Sequence, residues 1–280
     1  MGAGASNKKG AMKGSGQTPA LISTTNNAIS STVESHMYAR SAEEICPTQT
    51  VSITGNVPTH GISKKVNFWE ENMRSYPDPR FRDKILDYVR YGIPIEYERE
   101  LEEVECKNWP STKEYREKVD AFIIEHLSDG SIEGPFEDEK EVIRCSPLGA
   151  FMKKDKVKIR VIHDLSWPPE DAVNDVLDKE SCRVKYVKVL DAVKLCDKYD
   201  EAWLGKSDLK DAYLQCPVRL QDRRYLGFLW EREEGDLKMR YASLPFGLRP
   251  SALKFSELGT ALLYMCKKGG ASEEGKVCSS

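Results

Sequence analysis

The chain has 280 residues, 40% hydrophobic and 31% charged, with a formal net charge of −3. That is enough apolar material for a sizeable core, but it excludes a surface that is basic throughout, because gripping phosphates needs clustered Lys and Arg. Eight Cys without a Cys-x-x-Cys pair and four scattered His argue against zinc and against a disulfide scaffold, so an intracellular, reducing compartment is expected, cytoplasmic or nuclear. No apolar run reaches the roughly 18 residues that cross a bilayer, and no secretory segment follows Met1.

Residues 1–60 are rich in Gly, Ser, Thr, Asn and Ala without sustained period, and disorder is expected there. Within them Met1-Gly2-Ala3-Gly4-Ala5-Ser6 fits the N-myristoylation pattern, followed by Lys8-Lys9. Two readings stand: a lipidated Gly2 giving weak membrane association, or the chance match of a small-residue tail.

Residues 61–130 read as a mainly helical segment. Phe81, Ile85, Tyr88 and Val89 share a helical face, and Tyr91-Gly92-Ile93-Pro94 ends it. Glu96 to Glu105 carries six Glu and one Arg and is expected to be a solvated acidic face or loop. Ser111 with Glu114 predicts a capping box. The helix it opens has the stripe Tyr115, Val119, Phe122, Ile123 and Leu127, and Asp129-Gly130 stops it.

From 131 to 268 the period shortens. Val142-Ile143 and Leu148 to Met152 read as strands, and Lys153 to Val157 as a charged turn. Lys158 to His163 returns with Ile159, Val161 and His163 on one face. An antiparallel hairpin over 150–163 with its tip near Asp155 is therefore expected. Trp167-Pro-Pro169 predicts extended chain. Val189, Val193 and Cys196 mark a short helix, and Ala202 to Gly205 a strand leading to Asp208. A second hairpin pairs Arg224 to Trp230 with Met239 to Ser243. Ser251 is expected to cap a last helix, with Phe255, Leu258, Leu262 and Met265 facing inward. Gly269-Gly270 would end it, and residues 269–280 read as a polar tail.

Three groups of residues can carry chemistry. Between Ala150 and Arg160 stand Lys153, Lys154, Lys156, Lys158 and Arg160 against one acid, Asp155. Such donors suit a polyphosphate, or they are the ordinary solvated lysines of an exposed hairpin. Asp208 and Asp211 lie three apart. They reach one site only if a strand ends between them, and otherwise one is a metal ligand or strand-end cap and the other structural. Leu244-Pro-Phe-Gly-Leu248 falls between a strand and a helix, where Gly247 permits close approach of another backbone. Alone it is also a plain strand-to-helix turn.

In this order the pieces resemble a reverse transcriptase, over about Trp69 to Cys266. The segments that carry the likeness are Tyr76-Pro-Asp78, Ser131 to Phe136, Arg144 to Gly149, Lys153-Lys154, Arg160 to Pro168, Val173-Asn-Asp175, Lys206 to Tyr213 and Leu244 to Leu248. The tyrosine-recombinase (DIRS-like) retrotransposon group is the most similar. The resemblance implies an α+β right-hand polymerase, here the fingers and a partial palm. It implies that Asp208 binds two Mg²⁺ ions, to one of which Leu209 offers its carbonyl. Asp211 and Ala212 would present N–H groups to a triphosphate, and Tyr213 would lie under the sugar. Lys153 and Arg160 would clamp phosphates, and Phe246 and Gly247 would line the nucleotide and template. Template-primer and deoxynucleoside triphosphates are the implied partners.

The sequence departs from that family in one respect that matters for chemistry. A Tyr-x-Asp-Asp turn belongs after the last helix, and no Asp-Asp pair occurs in these 280 residues. A chain cut before that strand pair and inactive by itself is expected. The alternative is a non-catalytic nucleic-acid-binding or interaction protein derived from a retroelement.

Overall fold

The computed structural model describes residues 58–100, 102–136, 142–154, 157–186, 188–198 and 208–268. The N-terminal tail with Gly2, the hairpin tip at Asp155, the strand expected over Ala202 to Gly205 and the polar tail from 269 lie outside the described residues.

The fold is mixed α and β. Two helices open it, α1 (Val66–Met73) and α2 (Pro79–Tyr91). The α2 start is set by Asp78, whose carboxylate accepts the N–H groups of Arg80 and Phe81 at 2.9 and 3.3 Å. Pro79 then supplies a pre-set first turn. A short helix α3 (Pro110–Glu114) leads into α4 (Arg116–Asp129), which stops at Gly130 in the left-handed region (φ 85°).

The capping box expected at Ser111 does not form. Pro110 starts the helix two residues earlier, with Trp109 at the cap position, and the Ser111 hydroxyl instead accepts the Ala150 N–H at 3.1 Å, tying α3 to the strand that begins at Leu148.

Strands β1 (Ile132–Glu133), β4 (Gly227–Trp230) and β5 (Leu237–Tyr241) make an antiparallel sheet in the order β1-β5-β4. Strands β2 (Leu148–Met152) and β3 (Ile159–His163) make the expected antiparallel hairpin, with Leu148 opposite His163 and Met152 opposite Ile159. Val142-Ile143 is not a strand. Its segment alternates partners, Arg144 N–H to Arg224 C=O, Cys145 N–H to Val104 C=O and Ser146 N–H to Gly227 C=O, so no ladder builds. The second hairpin starts only at Gly227, because Leu220–Tyr225 coils into a 3-10 helix. Trp167 to Pro169 turns rather than extends, with the Trp167 N–H on the Asp164 carbonyl.

Two short helices, α5 (Val173–Val176) and α6 (Val189–Cys196), precede α7 (Ser251–Lys268). Leu258 and Met265 of α7 are buried as expected, whereas Phe255 and Leu262 are only half-buried. Ser251 does not cap α7. It sits inside the first turn, buried, and its hydroxyl donates to the Pro245 carbonyl at 3.0 Å.

Helices before Gly130 and strands after it share one core, in which Trp69, Ile85, Ile123, Val161, Phe228, Tyr241 and Leu258 are buried. Polar groups enter this core with partners. Lys254 reaches Glu96 at 2.7 Å and the Tyr88 hydroxyl at 3.2 Å. Glu133 lies between the guanidinium groups of Arg223 and Arg240. His60 contacts the Ser243 hydroxyl at 2.7 Å, and His163 donates Nε2–H to the Gly227 carbonyl at 2.9 Å.

Both of these histidines are pushed down to about 4. For His60 burial is the main cause, followed by the nearby Arg223 charge, and for His163 the cause is burial. Each is neutral in the fold, whereas the unfolded chain takes up protons below the ordinary 6.5. The unfolded state therefore holds more protons between pH 6.5 and 4, and stability is lost as pH falls through that window. Burial pushes the Asp129 carboxyl up, but hydrogen bonds from His126 and Ser131 outweigh it and hold it at about 2, so its contribution is lost only below 3.8. Urea unfolding at pH 7, 5.5 and 4.5 should show a decline approaching about 1.4 kcal/mol per pH unit for each histidine. A flat profile over that range would contradict the neutral, buried assignment.

Candidate functional site: the joint between the β2–β3 hairpin and the Phe246–Gly247 loop

Strand β3 ends where the chain segment after β5 crosses it. The His163 N–H donates to the Phe246 carbonyl at 2.9 Å. Gly247 has φ 115°, and a Cβ there would fall 1.9 Å from the His163 carbonyl oxygen. Only a residue without a side chain fits. The third member is Asn174, on α5 and 4% exposed. Its amide NH₂ donates to the Gly247 carbonyl (2.8 Å) and to Ser166 Oγ (2.9 Å), and its oxygen accepts the Arg249 N–H (2.8 Å). Hairpin, α5 and loop are thus held together around the buried Asn174 and His163.

The lock brings four of the expected site residues to one place. Arg160, exposed in β3, holds its guanidinium carbon 5.8 Å from the Phe246 ring centroid. The Tyr213 and Phe246 rings lie 4.8 Å apart, and Phe255 of α7 closes the far side of Tyr213 at 5.5 Å. Burial raises the Tyr213 phenol above its usual range, so it stays protonated and can donate. Gly247 completes the set. A cation over an aromatic face beside a second ring is suited to a flat, anionic ligand.

The remaining expected residues are arranged differently. Lys153 is exposed at the turn end of the hairpin, its N–H on the Lys158 carbonyl at 2.8 Å. Asp211 is left-handed (φ 50°) and precedes the short 3-10 helix Ala212–Gln215, which carries Tyr213. Asp208 and Leu209 are exposed in chain without regular structure. Lys210 pairs with Glu125 of α4 at 3.2 Å and with Asp211 at 3.7 Å.

Two-metal chemistry needs several carboxylates around cations about 3.5–4 Å apart. Among the described residues no group of three or more His, Cys, Asp or Glu is placed to hold a cation. Asp208 is a single exposed acid and Asp211 leans toward Lys210. The described residues do not fit a pair of Mg²⁺ ions.

Aromatic residues to which the sequence reading gave no role extend the site. Phe151 is 56% exposed and faces Arg160 across the hairpin. An atom at the Cβ position of Gly149 would touch both the Phe151 and Trp109 rings at 3.5 Å. Trp109 in turn packs edge-on against Trp167, 5.3 Å between centroids, with its indole N–H on Asp164 at 3.1 Å. The signal was present in Phe151, which alternates with Ala150 and Met152 and so must point outward.

No protein-family model matches the chain, and neither does any curated protein.

Gly247→Ala should lower the urea midpoint by an amount equivalent to at least about 2 kcal/mol, from strained φ and collision with backbone that cannot yield. Gly259→Ala, in α7 with open space around it, should instead raise stability by about 0.5–1 kcal/mol. Equal effects at the two positions would refute the joint.

Proposed function

We propose that this chain carries the fingers and part of the palm of a reverse transcriptase of the tyrosine-recombinase retrotransposon kind, and that it binds single-stranded template and a deoxynucleoside triphosphate. The observation that carries the reading is the convergence of Arg160, Tyr213 and Phe246, drawn from three separate stretches of sequence, onto one exposed patch. Arg160 and Lys153 supply charge for phosphates, and the Tyr213 and Phe246 rings supply stacking surface and a floor for the sugar and base. Phe151, Trp109 and Trp167 continue the surface along the hairpin, as single strands require.

The parent activity is templated nucleotidyl transfer with Mg²⁺. In this reading Asp208 would supply one carboxylate and Leu209 a carbonyl toward cations that the described residues do not hold by themselves, and Asp211 and Ala212 would offer N–H groups to the triphosphate. The remaining carboxylates would have to come from a segment these 280 residues do not contain. The chain as given should therefore extend no primer. An intracellular setting suits the six cysteines among the described residues, all free. No helix among the described residues is long and apolar enough to cross a membrane.

The exposed Arg160 beside the Phe246 ring needs no cation to meet a single strand, and so also suits a second reading, a nucleic-acid-binding protein derived from such an element. The two part at the nucleotide. The polymerase reading expects a triphosphate to bind beside Tyr213 and to be lost with Tyr213→Ala, while the second expects oligonucleotide binding alone.

Binding of a single-stranded oligonucleotide should weaken with salt, with a slope of about −0.7 per phosphate contacted. Lys153→Ala with Arg160→Ala should reduce affinity by about tenfold or more, and Lys8→Ala with Lys9→Ala should leave it unchanged. Affinity that ignores salt, or that survives the hairpin double change, would remove the nucleic-acid reading.

A further inference from the structure

A cavity of about 170 Å³ opens between α3, the start of α4 and the end of β4. Lys107, Lys113, Arg116 and Arg232 line it, against the carboxylates Asp120, Glu231 and Asp236. One positive charge is in excess, and neutral donors share the acids with the cations. Asp120 is engaged by the Trp230 indole N–H at 2.7 Å, and Glu231 by the Asn108 backbone N–H at 2.9 Å. The cations are held loosely by these same acids, Lys113 at 3.7 Å and Arg116 at 3.9 Å.

Two donors go further. Arg232 stacks over Trp230 at 5.5 Å, and its Nε–H is buried without a partner, a state that costs free energy until an acceptor arrives. Lys107 is exposed and makes no ion pair among the described residues. Beneath them Val119, Ile123 and Leu229 form an apolar floor, which strengthens any charge-assisted bond made above it.

We propose that this cavity is an oxyanion site that takes one phosphate group. Its volume equals that of about five or six waters at roughly 30 Å³ each. That accommodates a phosphate and part of its hydration shell, and falls short of the roughly 300 Å³ at which pockets hold nucleoside-sized ligands. Lys113 and Arg116 reach it from consecutive helices, and Arg232 from the strand end opposite. The phosphate is either free inorganic phosphate or one phosphodiester of a nucleic-acid strand. The site is independent of the Arg160–Phe246 patch, so it stands whether or not the polymerase reading does.

The test is calorimetric titration of the full chain with inorganic phosphate at low ionic strength, beside the salt dependence of single-stranded oligonucleotide binding. The probes are the exposed pair Lys107→Ala with Lys113→Ala, and Arg232→Gln. If free phosphate is the ligand, it binds in the millimolar range, about −4 kcal/mol, and weakens about tenfold in either variant. If a phosphodiester is the ligand, the salt slope for the oligonucleotide falls by about 0.7 in the lysine variant. Lys153→Ala with Arg160→Ala should leave phosphate binding intact, which separates this site from the other patch. No heat up to about 10 mM phosphate with an unchanged slope would overturn the proposal. So would phosphate binding that survives both cavity variants, or that is lost with the hairpin change instead.

Discussion

The arrangement depends on one place where two backbones touch. At the end of β3 the His163 amide and carbonyl meet Phe246 and Gly247 so closely that no Cβ fits between them. Asn174 then spans the remaining gap with hydrogen bonds to both sides of the loop. Everything that makes the exposed patch follows from this contact. It fixes the hairpin against the segment that enters α7, so Arg160 comes to lie over Phe246 and Tyr213 is trapped between Phe246 and Phe255. His163 and Asn174 are buried at this contact, while Ser166, Phe246 and Gly247 are exposed, so the cost of breaking it falls mainly on the two buried residues.

Charge is sorted by the same fold. Half of the acidic stretch Glu96 to Glu105 is paired within the fold, while Glu98, Glu100 and Glu102 stay exposed. Glu96 is spent on buried Lys254, and Glu103 and Glu105 on Lys238. Glu133 is consumed between two arginines in the interior. The chain is acidic overall, yet an exposed Arg160 and Lys153 border the aromatic strip, while the cavity cations share acids that neutral donors already occupy. Net charge was therefore a poor guide to local potential, which is set by pairing distances.

The elements whose signal is local were legible in the sequence. The 3.6-residue spacing of Phe81, Ile85 and Val89 gave α2, the alternation through Ile159, Val161 and His163 gave β3, and Gly130 marked the end of α4. Ser111 and Ser251 misled because a hydroxyl near a helix start can serve a tertiary partner as well as a cap, and both do so here. Buried Lys254 had no local signature, since its partners Tyr88 and Glu96 lie far away in the chain. Within the candidate site, Arg160, Tyr213, Phe246 and Gly247 were picked out through family resemblance, and geometry unites them. Asp208 and Leu209, picked out the same way, stand exposed and outside regular structure. The cavity was illegible because residues 107–120 and 229–236 carry no joint pattern until α4 packs on β4.

The central claim is that the joint at Asn174, His163 and Gly247 acts on ligands only by placing Arg160 against Phe246. A double-mutant cycle of Asn174→Ala and Arg160→Ala, read as affinity for a single-stranded oligonucleotide under conditions where all four proteins are folded, tests it most directly. The account predicts that Asn174→Ala weakens binding in the parent chain and adds little once Arg160 is gone, giving a coupling of about 1 kcal/mol or more. Strict additivity, or no effect of Asn174→Ala on binding, would contradict it.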